Sequence, residues 1–180
     1  MIFINHSIPV TKKISLGGIL AGFIMICLLA ASLLPVNRLF FLAFSSLFVS
    51  VMIVKTDIFY AVLLYVTTAA LSFFLLPFKS IAIAYITFFG LYGIIKLFCE
   101  QIRNIVVSWI AKFASFNICL IVMYLMAGLV FAEGVSSRLP LPLLWLAAQA
   151  GFLIYDIVYS MFIDFYHKRI ERIMKNVFRS

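Results

Sequence analysis

The stretch "FLIYDIVYSMFIDFYHKR", residues 152–169, reads as the end of a membrane-spanning helix, yet it carries Asp156 and, two turns later, Asp164. A charge at the centre of the hydrocarbon costs roughly 3 kcal/mol or more, so a carboxylate there needs either a buried cation or a role in carrying protons or ions. Lys112 lies about one turn inside one end of the fifth apolar stretch, and Asp156 about two turns inside the corresponding end of the sixth. An Asp156–Lys112 ion pair is therefore predicted. Lys96 is the competing partner, although Glu100, four residues on, can serve it locally. The preferred reading makes Asp156 a structural counter-ion. The alternative is an ion-coupled carrier using Asp156 with Lys112.

The same helix holds a polar stripe. At 100° per residue, Trp145, Gln149, Asp156, Ser160, His167 and Glu171 share one narrow face, with Asp164 beside it. Such a stripe is expected to face protein rather than lipid.

The usual parts of an enzyme are missing. There is no HExxH, no GxSxG, no paired-glutamate metal motif and no P-loop, and the two histidines, His6 and His167, lie outside the apolar stretches. The sequence is thus read as non-enzymatic, with no catalytic residue, no metal site and no cofactor. Cys27, Cys99 and Cys119 lie in or at the edge of apolar stretches without metal-ligand spacing, and are expected to be inert buried thiols.

The elements that must position these residues follow from composition. Of 180 residues, 66% are hydrophobic and only 11% charged, more apolar surface than a soluble globule of this size can hide. The expected fold is an all-α integral membrane protein: one compact domain, residues 1–180, of six transmembrane helices. The spans are placed at about 14–34, 39–54, 58–76, 80–98, 107–131 and 143–165, followed by a basic amphipathic tail, 166–180. The first follows Lys12 and Lys13 as a signal peptide would, but it is too long for one and is read as retained. With six spans, only Arg38, Lys79 and Arg138 fall on one side, and the rest of the 14 lysines and arginines fall on the other. Both termini are therefore expected in the cytoplasm, and the net charge of +8 marks cytoplasmic loops and a lipid-facing tail rather than nucleic-acid binding.

Polar and aromatic residues gather near the outer ends: Asn37, Arg38, Lys79, Glu133, Arg138, Trp145 and Gln149, with Thr67, Thr68, Ser72 and Tyr85 just below. Rings beside a few polar groups suit a small solute, and Asn37, Arg38, Lys79, Tyr85, Trp145 and Gln149 are the candidate ligand-binding set. Solvated loop charges and interfacial aromatics are the plainer reading. In "AYITFFGLYGIIK", residues 84–96, Tyr85, Phe88 or Phe89, and Tyr92 share a face, while Gly90 and Gly93 permit a bend or a close crossing. On helix one, Gly17 and Ala21, and Gly18 and Gly22, are small residues four apart. They allow close helix approach, within the bundle or to a partner.

With "GGILAGFIM" in helix one, "LLPFK" after helix three, "AYITFFGLYGIIK" in helix four and "FLIYDIVYSMFIDFY" in helix six, the chain resembles the substrate-binding S components of energy-coupling factor (ECF) vitamin transporters. The resemblance implies a bacterial plasma-membrane protein that binds a vitamin-like solute near its outer surface. Uptake would be driven by a partner ATPase module and its transmembrane coupling subunit. It also implies that helix one docks on that subunit through Gly17 with Ala21, or Gly18 with Gly22. The alternative is a non-transporting envelope scaffold similar in size and span number to rod-shape proteins of the MreD type.

Overall fold

A computed structural model describes residues 9–34, 37–130 and 141–177, without the side-chain surroundings of 127–130, 141, 167 and 169–177. Glu133 and Arg138 lie outside the described residues, as do His6 and the side chains of Glu171 and most of the basic tail. The elements are α1 (Val10–Leu33), α2 (Arg38–Lys55), α3 (Ile58–Leu75), α4 (Lys79–Ala84), a π-helical turn (Tyr85–Phe89), α5 (Gly90–Glu100), α6 (Ile105–Val130) and α7 (Leu141–Val177). No strand occurs among the described residues. Six helical segments are long and apolar enough to cross a membrane, the fourth running through α4, the π turn and α5. The chain is a multi-pass membrane protein. α7 carries on past the sixth span to Val177 as one helix.

Local chemistry sets the ends. Leu34 and Leu76 are both extended, with ψ of 111° and 131°. Each precedes a proline, whose ring clashes with a helical residue before it. Asn37, at φ 73°, is the only non-glycine residue with positive φ among those described, and it turns the chain into α2. Asparagine tolerates that region better than most residues. Asn104 starts α6 by accepting the Val106 N–H on its Oδ1 at 3.0 Å, an N-cap bond that serves one of the four unmatched donors of a helix start.

Contacts divide the chain into two compact units, Met1–Ser136 and Ser137–Ser180. In the first, α1 packs on α2 and α3, α2 also meets α3, the π turn and α5, and α6 lies along the fourth span. The connections, 34–37, 56–57, 76–78 and 101–104, are short, so successive spans alternate in direction. The starts of α1, α3 and α6 and the ends of α2 and α5 thus share one end, called here the basic end. The opposite, Arg38 end holds the end of α1, the start of α2, the end of α3 and the start of α4.

The first unit is apolar on its surface as well as in its core, and several small hydroxyls lie inside it. Phe74 is 80% exposed, and Leu39, Phe59 and Ile105 are nearly as open, while Ser45, Ser46, Thr68 and Ser72 are fully buried. Lipid rewards that arrangement, because hydroxyls placed inside need not meet hydrocarbon and small residues let helices approach. Most of these hydroxyls bond to their own helix: Ser45 donates to Leu42 O at 2.7 Å and Ser72 to Ala69 O at 2.8 Å. Leu20, Ile24, Leu28 and Ala31 of α1 form the apolar core with Leu42, Val49 and Met52 of α2.

The second unit is α7. Its buried positions, Phe152, Asp156, Tyr159 and Ile163, recur at helical spacing, and Ile154, Ile157, Val158 and Met161 are exposed.

Candidate functional site

Three places in the first unit collect polar side chains. At the basic end, Lys13 of α1 pairs with Asp57, the residue that precedes α3, and its ammonium sits 5.0 Å from the centre of the Tyr60 ring. Asp57 makes no side-chain cap bond to α3. On the other flank of that end, Glu100 Oε1 lies 3.3 Å from Lys96 Nζ and 3.6 Å from Lys112 Nζ. Lys96 and Lys112 are only 1% and 7% exposed. The i, i+4 pair anticipated from sequence is thus present, and Lys112 joins it from α6. Ser108 Oγ, which donates to Cys99 O at 2.8 Å, ties the same two helices together.

Asp156 is 2% exposed, on the buried stripe of α7, and its carbonyl accepts from Ser160 Oγ at 2.8 Å. Of the polar face expected there, Gln149 and Ser160 are half-buried, whereas Trp145 and Asp164 are exposed. Asp156 belongs to the second unit and Lys112 to the first.

In mid-span, the π turn and α3 meet through two bonds. Thr68 Oγ1 and Tyr85 Oη are 2.8 Å apart, and Tyr65 Oη donates to Ile86 O at 2.7 Å. Gly90 makes room for the second: a Cβ there would lie 2.7 Å from two Tyr65 ring carbons. The close crossing that Gly90 permits is therefore realised, and its neighbour is Tyr65. The aromatic face is core, with Phe88 5.3 Å from Tyr92 and 5.2 Å from Phe116 between ring centres.

At the Arg38 end, the guanidinium of Arg38 lies 5.6 Å from the Phe78 ring centre, a cation–π arrangement. Lys79 donates to the carbonyls of Phe73 and, at 3.3 Å, of Leu76, and so serves the open C-terminus of α3. Asn37 is exposed at the same end. Ser32, the last residue but one of α1, is buried, and its hydroxyl has no hydrogen-bond partner. Of the six candidate ligand-binding residues, Asn37, Arg38 and Lys79 are gathered here. Tyr85 is fully buried, deeper on the fourth span, with its hydroxyl at Thr68, and Trp145 and Gln149 belong to α7.

The small residues of α1 divide. Gly17 faces α2, with Met52 Cε 3.5 Å from where its Cβ would be, and Ala21 packs against the core. Gly18 and Gly22 have nothing within 4 Å of that position. Gly17, Gly18 and Ala21 also line a cleft of about 210 Å³ shared with α3.

Sequence reasoning missed Lys13–Asp57 and both tyrosine bonds. Lys13 and Asp57 are 44 residues apart in sequence, and Tyr65 carries no local signal, since its partner is a backbone carbonyl. The three cysteines are buried and unbridged, as expected. No grouping of metal-ligating side chains occurs among the described residues. Comparison with models of known families, with characterised proteins and with solved structures finds no match.

Proposed function

We propose that this chain is a non-catalytic membrane subunit similar to the S components of ECF transporters. It sits in a bacterial plasma membrane with its basic end and both termini in the cytoplasm. It takes a small solute at the Arg38 end and hands it inward when a partner ATPase module and its coupling subunit move it. The observation that carries the reading is the face of α1. Gly18 and Gly22 stand open while Gly17 and Ala21 are used inside, which leaves a flat strip where a second transmembrane helix can approach closely. The gathering of Arg38, Lys79 and the unmatched Ser32 hydroxyl at one end supports a polar solute there, an anionic one best.

The test is purification from a native membrane with mass spectrometry of retained solutes and co-purifying subunits. A retained polar solute together with an ATPase is expected. Gly22→Leu should release the partner and keep the solute, and Arg38→Gln should do the reverse. Recovery of neither solute nor ATPase would overturn the proposal.

One observation favours a second reading. Arg38 stacks on Phe78, Lys79 serves α3, and Tyr85 is matched to Thr68, so each already has a structural role. An envelope scaffold of the MreD type needs the α1 face and no solute. Partner capture by the Gly18–Gly22 face without any ATPase or solute would select it.

A further inference from the structure

The cleft beside α1 has a chemistry of its own. Gly17, Gly18 and Ala21 on α1, with Leu63 and Thr67 on α3, form its walls, and Met52 of α2 lines it too. Its volume is about 210 Å³. It opens sideways, because Ile14 and Leu63 on its rims are 61% and 52% exposed. From Lys13 to Ala21 it runs about 12 Å along the helix axis at 1.5 Å per residue. That is most of the depth of one leaflet, about half of a 30 Å hydrocarbon core. Charge marks one end only: Lys13 and Tyr60 line the cleft there and Lys12 is exposed on the same turn, whereas Thr67, towards the other end, has its hydroxyl bonded to Leu63 O of its own helix. Asp57 neutralises Lys13, so the net positive charge beside this mouth is that of Lys12, the residue before it.

We infer that this cleft holds an acyl chain of an anionic phospholipid, with the headgroup phosphate at the Lys12–Lys13 mouth. The walls are apolar and the mouth is cationic, which is the polarity of such a lipid read from tail to head. Size separates a lipid from a helix. A transmembrane helix is about 10–12 Å across and cannot enter a space this small, whereas a flexible hydrocarbon chain can. Gly17 and Gly18 supply the space, since a side chain larger than alanine at either would project into it or into Met52. The inference rests on the chain being a membrane protein and not on solute uptake. The cleft and the docking face meet at Gly18, and two residues tell them apart: Gly22 does not line the cleft, and Thr67, across it on α3, is not part of the Gly18–Gly22 face.

The full-length protein, stripped of lipid in detergent, is titrated with phosphatidylglycerol or phosphatidylcholine of matched chains and examined by native mass spectrometry. A first bound phosphatidylglycerol retained about fivefold better than phosphatidylcholine is expected, the ratio for one net lysine near the phosphate, about 1 kcal/mol. Lys12→Gln should shrink the preference, Thr67→Trp should abolish retention, and Gly22→Leu should leave it intact. Equal retention of the two lipids, or unchanged retention in Thr67→Trp, overturns the inference. So does a result in which the cleft excludes lipid because a second copy or the chain's own first residues cover it. Headgroup selectivity is measured on the unaltered protein, so a variant that fails to fold leaves the test standing.

Discussion

Tyr65 on α3 donates its hydroxyl to the carbonyl of Ile86, 2.7 Å away, inside the π turn of the fourth span. In an α-helix that carbonyl would receive the Gly90 N–H, four residues on. Here the Gly90 N–H reaches Tyr85 instead. The phenol supplies the donor, and Gly90, lacking a Cβ, lets the ring in. In lipid, where water cannot satisfy a freed carbonyl, this arrangement makes the turn tolerable.

Tyr65→Phe removes the donor and keeps the ring, so a loss of about 1–2 kcal/mol in stability is expected. Gly90→Ala pushes a methyl into the ring and should cost about 1–3 kcal/mol. Trimming the ring relieves that clash, so Tyr65→Leu with Gly90→Ala should lose less than the sum of the two single changes. Denaturation of the purified protein in detergent, by a two-by-two cycle, reads both; strict additivity would contradict the contact.

Thr68 and Tyr85 form the other bond between α3 and the π turn. Thr68 also donates within its own helix, to Leu64 O at 2.8 Å, which leaves the Tyr85 hydroxyl proton for the bond between them. With Tyr85 as the donor across the interface, Tyr85→Phe destabilises by about 0.6 kcal/mol, the average for interhelical bonds in membranes, and by no more than about 1.7 kcal/mol. Thr68→Val added to it should bring little more, as the same melting measurement would record.

Glu100 stands between Lys96 and Lys112 at the basic end. Its side chain is 35% exposed, so solvent weakens both pairs. Glu100→Gln should lower stability by only about 1 kcal/mol, an effect that shrinks with added salt. A salt-independent loss would place the role of Glu100 elsewhere.

Asp156 decides between a counter-ion and a carrier of protons. Buried as it is, Asp156→Asn should reduce stability by about 1–3 kcal/mol. In proteoliposomes the same variant should show no change in any proton-linked flux. A flux abolished at unchanged melting temperature would establish the ion-coupled reading instead.

Much of the architecture is legible one residue at a time. The ends of α1 and α3 follow from the prolines after Leu34 and Leu76, and Lys96–Glu100 follows from their spacing along one helix. The site is less legible. Residue type and position make Arg38 and Lys79 either ligand candidates or loop charges, and only the fold shows Phe78 and the α3 carbonyls beside them. Tyr85, assigned to the same set, is fully buried with its hydroxyl at Thr68.

What the sequence determined alone is the solvent, the number of spans and which ends are basic, because each depends on summed hydropathy and charge over about 20 neighbouring residues. What only the tertiary structure decided is which side chains meet. Whether Lys13 finds Asp57, or Gly17 rather than Gly18 turns inward, depends on how each helix is rotated about its axis. That rotation is set by packing across many residues distant in sequence. The π turn adds a residue to one turn of the fourth span and so shifts every later side chain around it, which hydropathy cannot register.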